Sequence, residues 1–393
     1  MWQNSYEGGH NVHSKHFSLI IIAVLFLCAG TVYSADITIT PSISLRGEYD
    51  DNIDFSRTNK LNDYAGTVSP ALSFDYATDR LTMQGRTLFG IVRYADYNEY
   101  DRENQNHGLN FGYRLSERLN ANANVSYIKD TTLDTALEET GLIERRSDRE
   151  NIRAGGGLSY EINEVSNVGL DYFFTKTDYE LQSYTDSDTH GISMSYNYSF
   201  NNRLDTLTLS SSYRKTDSDE DKTDNYSSSL GLAHTFGPTL QASVSAGVRY
   251  LDIEDPSGQS DTDWGWTSNI SLQKSWQTTS ATLGYSRDLS YSAEGEPVEV
   301  NRFSLSADHR VTREFGLRLS GSLYFTKSAG ENEEEDVRYY SISPTVYYNI
   351  TPDHSVELGY NYSREANRLP DDNSDIDRNI VWLALNFNFP QKW

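Results

Sequence analysis

The chain has 393 residues, only 37% of them hydrophobic, and a formal net charge of −24. A soluble protein of this length usually carries a larger apolar fraction, so this composition disfavours an ordinary water-soluble core. High charge with low hydrophobicity is typical of disorder, but 28 Tyr, 15 Phe and 6 Trp are too many aromatic residues for a disordered chain. Another surface must therefore bury or anchor these rings.

The first residues indicate export from the cytoplasm. An apolar run, FSLIIIAVLFLCAG, extends from Phe17 to Gly30. It is too short to span a bilayer as a helix, which needs about 20 residues. We predict a secretory signal peptide over residues 1–34, cleaved after Ser34, followed by one domain over residues 35–393. Cys28, the single cysteine, lies in this leader, so the mature domain is expected to form no disulfide.

A two-residue period in hydrophobicity begins after the leader and recurs to the C-terminus. Strict alternation of apolar and polar residues predicts a β-strand with one apolar face and one polar face. Clear examples, in chain order, are Ile37–Arg46, Leu119–Tyr127, Ile192–Phe200, Leu317–Leu323, Val356–Ser363 and Val381–Phe389.

The connections between these segments are alternately short and long. Ala77–Arg80 and Phe236–Thr239 are short turns, whereas Asp130–Ser147 and Thr216–Asp224 are longer polar links. This alternation is expected of an up-and-down meander whose two ends face different compartments. We count roughly 18 strands (16–18), with enough residues in each for the ~9–11 that cross a bilayer.

We therefore predict an all-β fold, a transmembrane antiparallel up-and-down β-barrel. Its apolar faces would contact lipid, and closure would satisfy the backbone hydrogen bonds inside the membrane. The low mean hydropathy of −0.64 is then expected, because half of each strand faces an aqueous lumen. A soluble β-sandwich or propeller is the alternative, and a propeller would show a blade-scale repeat that the sequence lacks.

The stretch SLRGEYDDNI, from Ser44 to Ile53, ends the first predicted strand. Together with the rest of the mature chain it resembles the putative β-barrel porin 2 family. The resemblance implies a bacterial outer-membrane barrel with no established catalytic residue, and we expect neither a metal nor another cofactor. Some members are encoded near exopolysaccharide or exosortase systems, so components of such a system are expected partners. Outer-membrane lipid, lipopolysaccharide and the barrel-assembly machinery are the other expected partners, and nucleic acid is not.

The leading functional interpretation is a porin-like channel for passive passage of hydrophilic solutes, with a link to exopolysaccharide export as a further expectation. The alternatives are a structural or adhesive surface barrel with an occluded lumen and, last, an outer-membrane hydrolase. The hydrolase interpretation is weak, because Asp353, His354 and Ser355 are neighbours in a tight turn and cannot converge as a catalytic triad.

The polar phase of the predicted strands carries charges of both signs. Such charges set the ion selectivity of water-filled barrels. The pore-lining candidates are Arg46, Glu48, Arg86, Arg153, Asp171, Arg214, Arg249, Arg302, Arg318 and Glu357. The alternative is that these charges pair across the wall as a structural lattice. Around Arg93 the alternation is ambiguous, and we expect a bulge there.

The longest link, Lys129–Glu150, lies between the fifth and sixth predicted strands and contains a short, weakly helical apolar stripe. It resembles the third long loop of general porins, which folds inward and narrows the channel. Our hypothesis is that Leu137 and Leu142 hold the link against the inner wall. The constriction candidates are then Glu138, Glu139, Arg145 and Arg146. A mobile external loop is the alternative.

Three links are strongly acidic: Thr216–Asn225, Glu331–Asp336 and Asp371–Asp377. They are expected to be solvated and mutually repelling. The alternative is weak Ca²⁺ or Mg²⁺ bridging to lipopolysaccharide phosphates. In the last of these links the oxygen-bearing side chains have the spacing of the first ligands of an EF-hand loop, but Ile376 stands where that loop requires glycine.

Overall fold

The computed structural model describes residues 35–393 except 143–144, 201–203, 219–220, 256, 330–335 and 368–374, and it leaves the side chains of residues 135 and 136 undescribed. The predicted signal peptide and the acidic residues 331–335 and 371–374 therefore lie outside the described residues. No helix in the described part of the chain is both long and apolar enough to cross a membrane.

Consecutive strands pair antiparallel throughout one sheet, and the first strand also pairs with the eighteenth, so the sheet closes on itself. The 18 long strands are β1 (Asp36–Asp50), β2 (Asp63–Ala77), β3 (Leu81–Tyr94), β4 (Arg102–Arg114), β5 (Leu119–Thr131), β6 (Asp148–Asn163), β7 (Ser166–Tyr179), β8 (Ser187–Ser199), β9 (Asp205–Ser218), β10 (Lys222–Gly237), β11 (Leu240–Glu254), β12 (Ser260–Ser275), β13 (Thr279–Tyr291), β14 (Pro297–Arg310), β15 (Phe315–Ser328), β16 (Asp336–Thr351), β17 (His354–Asn367) and β18 (Asp375–Asn388). The prediction of an up-and-down barrel of about 18 strands is confirmed.

Closure is completed at the C-terminus. Ser42–Asp50 of β1 pairs with Ile380–Asn388 of β18. A final short strand, β19 (Gln391–Lys392), then pairs with the beginning of β1. Three very short helical elements occur within the described links: a 3-10 turn at Asn98–Tyr100, a π-helical turn at Thr132–Ala136 and, directly after it, an α-helical turn at Leu137–Thr140.

Turns of two to five residues join the strands at one end of the barrel, and longer connections predominate at the other. We call these the short-turn end and the long-loop end. The predicted link Thr216–Asp224 is wrong in extent, because β9 continues to Ser218 and β10 begins at Lys222. Polar residues remain in strand conformation there because backbone pairing continues, with Lys222 opposite Asp217.

The outward face is the apolar one. On the closing pair, Leu45 lies opposite Leu385, and Val381 and Leu383 of the same face are 47% and 50% exposed. Such exposure of large apolar side chains is expected of a lipid-contacting wall.

Aromatic side chains form a row on this outward face near the long-loop end. The rings of Tyr213 and Tyr226 are 4.9 Å apart, those of Tyr226 and Tyr250 6.3 Å, and those of Tyr250 and Trp264 4.9 Å. Aromatic girdles of this kind mark the membrane interfaces of outer-membrane barrels.

The bulge expected at Arg93 is absent from this strand, so that prediction is wrong. One register relates β3 to β2 and to β4 through this region. Arg93 points outward instead, with its guanidinium 3.2 Å from Glu103 and 3.6 Å from Asp101. A charged outward residue is tolerated there because it lies at the strand end and is paired.

Candidate functional site in the lumen

The connection between β5 and β6, described over residues 132–142 and 145–147, crosses the lumen; we call it the crossing loop. Its Leu133, Leu137 and Leu142 are buried in one apolar cluster with side chains of the far wall. In the ring of strands, β14–β16 lie opposite β5 and β6. The other cluster members are Phe55, Val298, Val300, Tyr324, Val337, Tyr339 and Ile376.

Hydrogen bonds from the far wall reinforce this apolar contact. The Tyr324 hydroxyl donates to the Glu138 carbonyl oxygen at 2.7 Å, and the Thr326 hydroxyl donates to the Thr140 carbonyl oxygen. The loop backbone is thus held at its helical turn, with Leu137 and Leu142 packed where the constriction hypothesis places them.

Gly141 is required for this close approach. Its φ is +72°, which is strained for other residues, and a Cβ there would lie 2.5 Å from the Tyr324 Cβ. A larger residue would therefore push the loop away from the far wall.

Ion pairs hold the near side of the crossing loop. Arg102 donates to the Tyr94 hydroxyl at 3.0 Å and lies 3.4 Å from an Asp134 oxygen. Burial acts to raise the pKa of Asp134, but the Arg102 guanidinium and the Thr131 hydroxyl hold that pKa below its ordinary value. Asp134 therefore stays ionised at neutral pH and anchors the loop electrostatically.

The four constriction candidates divide into two pairs. Glu139 bonds to Arg149 at 3.2 Å, and the Arg146 guanidinium lies over the Tyr100 ring at 4.9 Å, so both stabilise the loop. Glu138 and Arg145 are exposed, and only their carbonyl oxygens accept from the wall or a neighbouring loop.

A cavity of about 770 Å³ opens beside the crossing loop at the long-loop end. Its lining includes the Tyr100 ring and charges of both signs. The charged lining residues are Asp54, Glu99, Asp101, Arg102, Arg145, Arg146, Asp148 and Glu180.

All ten pore-lining candidates share the inward phase. The strand registers place them on the same face as Tyr324 and Thr326, which touch the crossing loop. Several of them pair as a lattice: Arg46 lies 2.7 Å from Glu48, and Arg318 lies 3.7 Å from Glu357. Arg249 is only 1% exposed, so it faces inward without lining water.

The other four arginines form no salt bridge with any residue that the structure describes. They are Arg86, Arg153, Arg214 and Arg302, of which Arg214 is half-buried and the rest are exposed. Arg153 and Arg214 lie 5.0 and 5.9 Å from one ring, that of Phe173, and Arg302 lies 5.2 Å from the Tyr324 ring. Asp171, the remaining candidate, is exposed and faces Gly157 across the β6–β7 pair.

The lumenal aromatic rings beneath these arginines are absent from the predicted site. Phe173 lies opposite Gly191 and Trp382 opposite Gly359, and a Cβ on either glycine would overlap the ring. Arg46 in turn lies 4.7 Å from the Trp382 ring. An aromatic residue in a polar phase, with glycine on the next strand, is the sequence signal that identifies such a pair.

A second segment enters the lumen at the end of the β13–β14 hairpin. β12 pairs with β11 along Ser260–Lys274 but with β13 only along Ser268–Ser275. Arg249 of β11 donates to Asp263 of β12 and to Glu299 of β14, both at 2.9 Å. Glu299 belongs to the outward phase of β14, so the hairpin end lies on the lumenal side of β11 and β12.

The tip of the same hairpin reaches another loop. The Thr185 amide donates to the Ala293 carbonyl oxygen at 2.9 Å, and its hydroxyl donates to the Glu294 carbonyl oxygen at 3.0 Å. The long-loop end of the lumen is therefore crossed by two segments. Within the described residues, no group of three or more His, Cys, Asp or Glu side chains is placed to hold a metal ion.

Residues 33–389 match the family model described as putative beta-barrel porin 2. Among solved structures, a BenF-like porin from Pseudomonas fluorescens Pf-5 is similar at 11% identity and a TM-score of 0.50, over 90% of this chain and 99% of that one. OccK2 (OpdF) from Pseudomonas aeruginosa is similar at 10% identity and a TM-score of 0.49, over 89% and 98% of the two chains. At these identities the likeness shows the fold alone. No curated protein matches the sequence significantly.

Proposed function

This chain belongs to the putative β-barrel porin 2 family, and we propose that it is an outer-membrane channel that passes hydrophilic solutes and prefers anions. The barrel is porin-like in family and in fold. Barrels of 16–18 strands enclose an aqueous channel unless loops fill it. Passage through such a lumen needs no catalytic residue, so we propose a channel and not an enzyme.

The four unpaired lumenal arginines support the anion preference. The carboxylates of Glu48 and Glu357 lie beside arginine partners. Arg86, Arg153, Arg214 and Arg302 therefore leave positive charge in the lumen, against the single unpaired candidate carboxylate. Rings of like charge set the sign of the favoured ion.

The crossing loop supports a constriction in this channel. It spans from β5–β6 to β14–β16, and it carries the exposed side chains of Glu138 and Arg145. A solute entering from the long-loop end would pass the charged cavity beside the loop before it reached the lumenal arginines.

Ion selectivity tests this proposal. In planar bilayers under a KCl gradient, the wild-type reversal potential should indicate chloride preference. Arg153→Glu with Arg214→Glu should shift it towards potassium, because two positive groups near Phe173 become negative. Arg313→Glu, on an exposed short turn, is the matched charge control and should shift it little. An unchanged reversal potential in the double variant would contradict the anion preference.

The two inward segments favour a second candidate, a surface barrel with an occluded lumen. That function predicts inserted protein without measurable conductance, even in variants whose loop no longer docks. Export of an exopolysaccharide strand stays a proposal about the solute, and the genes adjacent to this one are its most direct test.

A further inference from the structure

Near the long-loop end of the barrel, backbone pairing between the neighbouring strands β12 and β13 stops. The last residue pair between these strands is Ser268 with Arg287. Beyond it, Ser260–Thr267 of β12 is paired only with β11, and Asp288–Tyr291 of β13 is paired only with β14. A free strand edge is an unfavourable feature in a membrane barrel.

The apolar phase of β13 nevertheless resumes in this region after one charged residue. Leu283 and Tyr285 face outward, Arg287 follows in the same phase, and Leu289 and Tyr291 continue it. Extending the existing register by one step at a time places Leu289 beside Trp266 and Tyr291 beside Trp264. Tyr291 would then extend the outward aromatic row that ends at Trp264.

As the strands stand, neither tryptophan has a paired residue on β13, although the Arg287 guanidinium lies 4.5 Å from the Trp266 ring. Trp264 is 72% exposed and Trp266 49% exposed, whereas Leu289 is only 3% exposed. The Tyr291 hydroxyl instead faces Thr216 and Thr223, which lie on the inward faces of β9 and β10. The residues of β13 therefore fit two positions, one inside the lumen and one in the wall.

An ion pair across strands helps to hold the inward position, together with the Thr185 hydrogen bonds at the hairpin tip and the packing of Val298 and Val300 against the crossing loop. Arg249 bonds to Glu299 on the hairpin, and Gly265 provides the space in which this guanidinium lies against β12. Arg287, which also bonds to Glu299, is carried on the same hairpin and would move with it. Leaving the lumen would therefore break the contact between Arg249 and Glu299 and keep the one between Arg287 and Glu299.

We propose that the end of the β13–β14 hairpin is a gate that alternates between this inward position and a second one, in which β13 pairs with the free edge of β12. We call the second one the zipped position. Zipping would remove the hairpin from the lumen and restore backbone pairing in the wall. It would also expose Arg249 to solutes, so that an anionic solute competes with Glu299 for this guanidinium and favours the zipped position. The effect on conduction rests on the proposed channel function, but the two positions do not.

Paired cysteines test the two positions directly. The described domain contains no cysteine of its own, because Cys28 is the only one in the sequence. Trp264→Cys with Tyr291→Cys should form a disulfide only when β13 is zipped onto β12. Thr185→Cys with Gly295→Cys should form one only in the inward position, because a Cβ at Gly295 would lie 3.2 Å from the Thr185 Cβ, near the separation in disulfides.

Both pairs are oxidised in outer membranes and analysed on non-reducing denaturing gels, with each single cysteine as control. We expect both disulfides to form. The yield of the Trp264→Cys and Tyr291→Cys pair should rise several-fold when Glu299→Gln is added, and Glu314→Gln on a short turn should leave it unchanged. Gluconate should raise the same yield more than glucose at equal concentration.

The gate is overturned if the inward pair cross-links while the zipped pair never does, with or without Glu299→Gln. Conductance is then read on the oxidised and reduced proteins. The zipped disulfide should raise conductance and the inward disulfide should lower it, each reversed by reductant. If both disulfides form but no variant conducts, the two positions stand and the proposed channel function fails. If the variant with Gly295→Cys fails to fold because the φ angle at this position is +89°, the pair Trp264→Cys with Tyr291→Cys still tests the gate by itself.

Discussion

At the scale of single residues, the lumen is organised by arginines that lie over aromatic rings. Phe173 carries Arg153 and Arg214, and Trp382 carries Arg46. A cation over an aromatic face gains about 0.5–1 kcal/mol at an exposed site. At Phe173 the ring thereby orients two guanidinium groups without neutralising their charge, whereas Arg46 is also paired with Glu48. Arginines held in this way are the source of the positive lumenal charge that the proposed anion preference requires.

Gly141 is the residue on which docking of the crossing loop depends most sharply. We expect Gly141→Val to undock the loop, because a side chain at positive φ costs on the order of 1–3 kcal/mol and would also collide with Tyr324. Single-channel conductance should rise in this variant, with a lower temperature of unfolding. Gly66→Val is the matched control, since a Cβ there meets nothing within 4 Å. Equal conductance in both variants would count against the constriction.

At the scale of the element, successive residues of each strand alternate between the outward, apolar face of the barrel and its inward, polar face. Leu319 lies opposite Pro344 on the outward face, and Ser320 lies opposite Ser343 on the inward face. The strands also run beyond the apolar belt, as β9 and β10 do, because backbone pairing does not require apolar side chains.

The contrast between these two neighbours gives a test of the phase. Leu319→Arg should destabilise the barrel by about 2–4 kcal/mol if the residue lies near the membrane midplane. Ser320→Arg should be tolerated, because its side chain enters water. Equilibrium unfolding by urea in lipid vesicles measures both. Similar losses of stability in the two variants would show that the assigned phase, or the membrane itself, is wrong.

At the scale of the whole molecule, the two ends of the barrel differ in the length of their connections. Short turns of outer-membrane barrels face the periplasm and longer loops face outward. Both termini of the barrel lie at the short-turn end, where β1 begins and β18 ends.

This orientation predicts a difference in antibody access. An epitope inserted between Gln182 and Ser183 should be labelled on intact cells, because it lies in a connection at the long-loop end. The same epitope inserted between Pro238 and Thr239 should be labelled only after the outer membrane is permeabilised. Labelling of both insertions on intact cells would reverse or remove the proposed orientation.

The sequence by itself determined the strands, the inward face of all ten pore-lining candidates and the phase of the strands apart from the region around Arg93. The alternation of apolar and polar residues indicates which face of a strand contacts water, and it can be recognised within a short stretch of sequence. It also marked Leu137 and Leu142, because an apolar stripe in a polar link needs a surface to pack on. The sequence pattern did not identify the lumenal aromatic rings, because Trp382 and Phe173 occupy the phase of their strands that is otherwise polar and faces the lumen.

Only the tertiary structure decided where distant segments meet. It set the docking of the crossing loop on Tyr324, the burial of Arg249, and the departure of β13 from β12 after Arg287. The pattern of β13 does not indicate this departure, because Leu289 and Tyr291 keep the phase of Leu283 and Tyr285. The departure depends on packing and ion pairs between strands that are not neighbours in the sheet, and no local period in the sequence encodes those contacts.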